Sequence, residues 1–206
     1  MNLIIIGAPG SGKGTQAANI VKDFNIAHIS TGNMLREAVK NKTPEGIVAK
    51  DLIEQGKLVS DDIIFKMLER RVLEPDCKNG FLLDGVPRNL EQVKFVEKLK
   101  IDKVIFIDVD FEAIIKRLSS RKSCANCQGT FIESECKNNK CPVCGSEVFT
   151  RDDDKPEVIK KRLETYKNQT EPVVNFYKNT GKMVTINGNQ SIDKVYKDIY
   201  KALVNG

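Results

Sequence analysis

The sequence has no tryptophan, a single histidine and only 6% aromatic residues among its 206 positions. His28 falls inside an apolar strand pattern, so no histidine-based proton relay is evident. No uncharged apolar run is long enough to span a bilayer. The opening Met1-Asn2-Leu3-Ile4-Ile5-Ile6-Gly7 offers neither a basic leader nor a small-residue cleavage site. The expectation is a cytoplasmic protein with no membrane partner. Gly 14 and Pro 7 sit within globular norms and exclude collagen-like or low-complexity chains, and there is no internal repeat and no Gly/Ser linker. What remains is 40% hydrophobic and 30% charged, enough for one ordinary domain carrying small inserts. Lys+Arg 33 against Asp+Glu 28 gives +5, a modest excess that suits anionic ligands without requiring nucleic acid. Six cysteines in a reducing compartment are tested first as metal ligands rather than disulfides.

Short apolar runs at Leu3–Ile6, Ala27–Ile29, Phe81–Leu83, Val104–Ile107 and Met183–Ile186 read as five strands buried on both faces of a parallel sheet. Helical spacing predicts helices over Lys13–Phe24, Met34–Val39, Gly46–Glu54, Asp61–Leu73, Leu90–Leu99, Glu112–Leu118, Glu157–Tyr177 and Ile192–Leu203. Ser60 before Asp61 and Asp62 offers an N-cap, and Asn89 with Gln92 resembles a capping box. The alternation predicts an α/β fold, with a helical excursion after the second strand and an aperiodic, cysteine-bearing insert near 119–154.

Gly7-Ala8-Pro9-Gly10-Ser11-Gly12-Lys13 fits the phosphate-binding pattern G-x-x-x-x-G-K, placed directly after a strand and before a helix. Glycines let backbone N–H groups turn inward around phosphate oxygens, the helix N-terminus favours anions, and the lysine reaches the outer phosphates. Gly14 stands where the general pattern has Ser or Thr, and Thr15 follows. That variant, G-x-P-G-x-G-K-G-T, resembles the nucleoside monophosphate kinases.

Two further segments follow strands. Ser30-Thr31-Gly32-Asn33-Met34-Leu35-Arg36 comes after the second, and Asp84-Gly85-Val86-Pro87-Arg88-Asn89 after the third. Both lie at the carboxyl edge, where open α/β sheets bind ligands. Arg36 and Arg88 suit bidentate capture of a second phosphate, although each alone reads equally as a solvated surface charge. With Gln92 four residues beyond Arg88, these segments are similar to the adenylate kinase family, Asn33 standing where that family usually has Asp and Val86 where it has an aromatic residue. The resemblance implies that Thr31, Arg36, Lys57, Val59, Gly85, Arg88, Gln92, Arg151 and Arg162 bind AMP. Thr31 and Gln92 would contact adenine, where related UMP/CMP kinases tend to carry Ala and Asn. An N-cap role for Thr31 and the capping box for Gln92 stand beside that assignment. Asp84 would organise magnesium, and its bland role is to form the turn before Gly85.

Cys124-Ala125-Asn126-Cys127 and Cys141-Pro142-Val143-Cys144 are two C-x-x-C pairs separated by 13 residues, close to zinc-ribbon spacing. A structural zinc on these four thiolates is expected, with Cys136 a possible competitor and Cys77 an isolated thiol. A small insert without an apolar core needs such a staple. The resembled family has long-lid members with paired cysteines at this place. Through the same resemblance, Arg121, Arg151 and Arg162 close over the phosphates, and Arg117, Thr130, Phe131 and the backbone near Gln190 form the ATP adenine pocket. ATP is held further by Gly10, Ser11, Gly12, Lys13, Gly14 and Thr15. The implied catalytic set is Lys13, Asp84, Arg88, Arg121, Arg151 and Arg162.

The implied fold is a P-loop α/β domain with a five-stranded parallel sheet. Its core covers 1–29, 60–118 and 160–206, with an AMP-binding insert at 30–59 and a zinc-binding lid at 119–159. The implied reaction is magnesium-dependent phosphoryl transfer from ATP to AMP, giving two ADP, by a monomer. An already ionised acceptor phosphate needs no general base. Two alternatives are a kinase for UMP, CMP or GMP, and a zinc-ribbon nucleic-acid binder with an inactive P-loop. The cysteine insert lacks the interleaved basic and aromatic face that the second requires.

Overall fold

The computed structural model describes residues 1–205. In chain order its elements are β1 (Asn2–Ile6), α1 (Lys13–Phe24), β2 (Ala27–Ser30), α2 (Thr31–Lys40), α3 (Pro44–Glu54), α4 (Asp61–Arg71), β3 (Phe81–Asp84), α5 (Leu90–Val96), β4 (Lys103–Asp108) and α6 (Phe111–Ser119). There follow β5 (Arg121–Cys124), β6 (Thr130–Ile132), β7 (Val148–Phe149), α7 (Pro156–Thr165), α8 (Glu171–Lys178), β8 (Met183–Asn187) and α9 (Ile192–Val204). The five apolar runs become β1, β2, β3, β4 and β8, each one or two residues longer than its apolar stretch.

These strands pair in parallel in the order β2-β3-β1-β4-β8. Strand side chains alternate between faces, so Leu3 and Ile5 enter one apolar layer and Ile4 and Ile6 the other. The first layer takes Ala17 and Ile20 of α1, Ile114 and Leu118 of α6, and Val195, Ile199 and Leu203 of α9. The second takes Leu35 of α2, Ile64 and Leu68 of α4, Val93 and Val96 of α5, and Val173 and Tyr177 of α8. Helices on both faces explain why the strands read as continuous apolar runs rather than alternating ones. Connections leaving β1 run to β2 on one side and arrive from β3 into β4 on the other. The carboxyl end of β1 is therefore the switch point where such sheets bind ligands.

Three sequence expectations need correction. Ser60 sits at the start of α4 but makes no side-chain cap; its carbonyl accepts from the Ile63 and Ile64 N–H groups instead. Only half the capping box forms: Asn89 Oδ1 accepts from the Gln92 N–H at 2.8 Å, while the Gln92 side chain is committed elsewhere. The predicted helix 157–177 is two helices joined by a π-turn at Tyr166–Thr170. The cysteine-bearing insert expected as a lid carries a small antiparallel sheet, β6-β5-β7.

Candidate active site

β1 ends in the phosphate-loop segment, and α1 begins at Lys13. Gly10 and Gly12 turn the chain with φ of 82° and 94°, a left-handed conformation that other residues adopt only with strain. No side chain caps α1 and no acid lies in its first turn, so its leading N–H groups keep their affinity for an outside anion. A side chain at Gly12 or Gly14 would meet open space, which marks a cradle rather than a packed turn. The Ser11 hydroxyl is buried with no protein partner. Lys13 Nζ donates to the Gly7 and Ala8 carbonyls, both at 2.8 Å. Burial presses its ammonium down to about 8, with the Asp84 charge opposing and Arg88, Arg162 and Arg121 adding to the fall.

Asp84 ends β3 beside this loop. Burial raises its carboxyl, but a contact from His28 and the Lys13 charge outweigh burial and hold it below the ordinary carboxylate range. His28 Nε2 lies 3.5 Å from Asp84 Oδ2 and has no properly directed hydrogen bond. The carboxylate, the unpartnered Ser11 hydroxyl and the open loop form a donor and acceptor set that fits a magnesium-bound triphosphate.

A pocket at the carboxyl ends of β2 and β3 is lined by Thr31, Arg36, Lys57, Val59, Gly85, Arg88, Gln92 and Arg162, with Asp153. These are eight of the nine residues expected around AMP; Arg151 is not in its lining. Thr31 is the first residue of α2 and Ser30 its cap, so Thr31 is free for other work. Its hydroxyl donates to the Gly85 carbonyl at 3.0 Å. Gln92, 2% exposed, accepts from the Arg88 N–H at 2.7 Å and donates to Asp61 Oδ1 at 2.8 Å. Arg88 Nε donates to the Gly85 carbonyl at 2.7 Å, and the Thr170 hydroxyl donates to the Arg88 carbonyl at 2.9 Å. The π-turn thus delivers Thr170 to the segment that aims Arg88.

The remaining arginines converge from the other side. Arg121 makes a two-pronged pair with Asp154 at 2.5 and 2.7 Å, and Arg162 reaches Asp153 Oδ2 and Asp154 Oδ1, both at 3.0 Å. Arg151 donates to Ser123 Oγ at 2.7 Å and Thr130 Oγ1 at 3.2 Å. Burial lowers all of Arg36, Arg88, Arg151 and Arg162, and Arg151 falls to about 9 with Arg36 and Arg121 adding to the effect. Arg121 and Arg162 are held by Asp153 and Asp154, whose charges also offset those of Arg36, Arg88 and Arg151, a set of cations whose chemistry suits phosphate oxygens. Burial raises the Asp153 carboxyl, yet Arg162, Arg121, Arg151 and Arg36 outweigh it and keep it low.

Arg117 Nη2 donates to the Gly188 carbonyl at 2.8 Å, which places its guanidinium at the loop carrying Gln190. The Gln190 amide is anchored to the Asn187 carbonyl and Asp198. Phe131 packs with the cysteine cluster.

The sulfurs of Cys124, Cys127, Cys141 and Cys144 all lie within 4.8 Å of one another. Two of the separations are 3.5 and 3.6 Å. Thiolates bound at about 2.3 Å to a tetrahedral zinc stand about 3.8 Å apart, so the set fits that ion. Hydrogen bonds from Ser146 and Asn126 hold the Cys144 thiol down at about 5. Cys136 is outside the group, its sulfur 3.7 Å from the Ile132 carbonyl, and Cys77 lies against Arg71.

Four contributors escaped sequence reasoning: Asp153, Asp154, Thr170 and Gln128. The two aspartates stand two and three residues after Arg151 in the run Arg151-Asp152-Asp153-Asp154, a signal present but not followed. Thr170 and Gln128 gave none.

A family model described as Adenylate kinase matches residues 5–182. The chain is 46% identical over 212 aligned positions to an adenylate kinase of Caldicellulosiruptor saccharolyticus, covering 98% of this chain and 99% of that one. It is 46% identical over 213 positions to one of Lactobacillus gasseri, with 98% of each chain covered. An adenylate kinase of Carboxydothermus hydrogenoformans is 43% identical over 212 positions, covering 98% and 99%.

Proposed function

The chain belongs to the adenylate kinase family and is a phosphotransferase acting between ATP and AMP, and on that premise we propose how its own residues carry out the transfer. The observation that carries this reading is the placement of Arg36, Arg88 and Arg162 around one pocket at the carboxyl edge of the sheet, with Arg121 joined to Arg162 through Asp154 and Lys13 on the adjoining phosphate loop.

The ATP triphosphate lies on Gly10, Ser11, Gly12, Gly14 and Thr15, where α1 presents its free N–H groups. Lys13 leaves the Gly7 and Ala8 carbonyls for the outer phosphates, and Arg117, Thr130, Phe131 and the backbone at Gln190 flank adenine. AMP occupies the pocket of Thr31, Lys57, Val59, Gly85 and Gln92, its phosphate on Arg36 and Arg88. Thr31 and Gln92 exchange their present partners for the adenine edge, which makes the pair the determinant of the acceptor base.

Transfer requires two anions to approach in line with water kept out, so the protein's work is positioning and neutralising charge. Arg88, Arg121, Arg151 and Arg162 supply it over the transferring group. Asp84 would hold magnesium through coordinated waters, and the ion would supply positive charge that offsets that of the phosphates. In the lid, Cys124, Cys127, Cys141 and Cys144 would hold a structural zinc that fixes β5–β7, which is what keeps Arg121 and Arg151 in register.

The working division is a core at 1–29, 60–118 and 160–206, an AMP insert at 30–59 and a lid at 119–159. Both substrate sites are built from segments of one chain, which supports monomeric action on ATP, AMP and ADP alone. Four reduced thiols suit a cytoplasmic setting. Among the described residues no helix is long and apolar enough to cross a membrane.

The test is ADP formation from MgATP with AMP, UMP, CMP and GMP in parallel, with Lys13→Ala as the blank. Turnover with AMP alone is expected, and Lys13→Ala should lose on the order of 10³ in kcat. Equal turnover with a pyrimidine acceptor would remove the roles given to Thr31 and Gln92.

A further inference from the structure

Among the described residues one side-chain hydrogen bond joins the AMP insert to the lid, apart from the packing of Gly56 against Val158 and the pocket that Asp153 shares with Arg36, and its residues are 95 apart in sequence: Asn33 Nδ2 donates to Gln128 Oε1 at 2.8 Å. Asn33 also accepts, at Oδ1, from Arg36 Nη2 at 2.5 Å. A guanidinium only donates, so Arg36 fixes which end of the Asn33 amide is oxygen. The NH₂ end then faces the lid, and Gln128 must answer with its oxygen. The polarity of the relay from Arg36 through Asn33 to Gln128 follows from chemistry.

Gln128 directly follows Cys127 and takes φ of 58°, the left-handed turn that closes the first C-x-x-C knuckle. Its side chain is exposed and packs into no core, so the knuckle delivers a polar group outward to one place, the Asn33 amide. An aspartate at position 33, which the family usually carries, has no N–H to donate.

We propose that Asn33 and Gln128 form a latch that positions Arg36, so that closure of the lid orders the AMP phosphate site; both are positioning residues. The inference rests on the assignment of Arg36 to the AMP phosphate. Closing the latch locks the Asn33 amide and with it one guanidinium nitrogen of Arg36. The gain appears in AMP affinity and leaves the transfer step alone.

The test compares AMP KM, kcat and the AMP dissociation constant in the presence of a non-hydrolysable ATP analogue, using the full metal-loaded chain. Gln128→Ala should raise KM and the dissociation constant for AMP by about 3- to 10-fold, the range one net hydrogen bond supplies, with kcat within about twofold. Gln128→Glu should stay within about twofold of the parent, because a carboxylate still accepts from Asn33. Asn33→Asp should be mild, since the Gln128 amide can turn to donate. Asn33→Asp combined with Gln128→Glu sets two carboxylates face to face and should weaken AMP by about tenfold or more, well beyond the product of the two single effects. A change in lid packing alone would not produce that sign dependence.

Unchanged AMP affinity in Gln128→Ala, or simple multiplication in the double variant, would overturn the latch. Arg36→Ala serves as the separate control. If it too leaves AMP affinity intact, the phosphate assignment fails and takes the latch with it; if it weakens AMP while Gln128→Ala does not, the latch alone is wrong.

Discussion

The parallel-sheet core and the cysteine lid hold together by different means. The core sets two apolar layers on a five-stranded sheet, with Leu3, Ile4, Ile29, Leu82, Leu83, Ile105 and Ile114 essentially without exposure. The lid's buried cluster is Cys124, Cys141 and Val148, backed by Phe131 and Cys136. Two of those three buried residues belong to the four-thiol group itself. Burial of that extent does not offset the entropy of ordering the lid's chain, whereas a metal closing two knuckles does. The core is cohesive because of what its sequence excludes from water, and the lid, on the proposed zinc site, because of what it would bind.

The largest effect should come from taking the metal away. Chelation under reducing conditions, or Cys124→Ser, should abolish amide-hydrogen protection across β5–β7 while β1–β4 and β8 keep theirs. Turnover should fall on the order of 10², since Arg121 and Arg151 lose the sheet that aims them. Protection that survives in β5–β7 after the metal has gone would break the contrast, because the lid would then have a cohesion of its own.

Leu82→Ala probes the other side. Leu82 is fully buried in β3 between β1 and β2, and removing its side chain leaves a cavity that should cost about 2–5 kcal/mol of global stability. The urea transition of the sheet should shift, while zinc per folded protein and the stability of the metal site stay unchanged. If metal release and sheet unfolding instead shifted together as one transition, core and lid would be one cooperative unit and not two.

The same division governs what could be read in advance. The five strands, the phosphate loop and α1 were legible because each is a local pattern: an apolar run, a glycine spacing, a 3.6-residue period. The four zinc-type cysteines were legible because ligand spacing is local too, and Cys136 falls outside the group that the paired spacing already defined. What escaped depends on contacts between distant segments. Ser60 is well placed to cap α4, yet the cap is not made, and the neighbouring Asp61 carboxylate instead takes hydrogen bonds from Asn89 and Gln92. No sequence period distinguishes Glu157–Tyr177 as one helix from two joined by a π-turn, because the turn is stabilised by what Thr170 reaches, 82 residues back. The short strands of the lid carry no alternation, their pairing being imposed by the two knuckles.

The smallest expected effect concerns one buried cation of the core, Lys13. Burial lowers it from its ordinary 10.5 to about 8, whereas the enclosed guanidinium of Arg151 in the lid keeps its proton. For Lys13 the unfolded chain keeps between about pH 8 and 10.5 a proton that the folded chain has shed. Unfolding therefore takes up a proton in that window, and stability from this group rises with pH across it. Below about pH 8 both states hold the proton, and the folded state bears the full penalty of an enclosed ammonium. Lys13→Met should accordingly be more stable than the parent near pH 7, with the difference shrinking as pH climbs toward 10, measured by urea unfolding. ATP reverses the balance by setting phosphate anions beside Lys13 and raising its affinity for a proton. Nucleotide binding at pH 9 should thus take up a proton at Lys13, read from binding heats in buffers of different ionisation enthalpy, and the uptake should nearly vanish near pH 7, where the ammonium is already charged. Removing the lid metal should leave that uptake in place, because Lys13 belongs to the core; an uptake that disappeared with the metal would place its source in the lid instead.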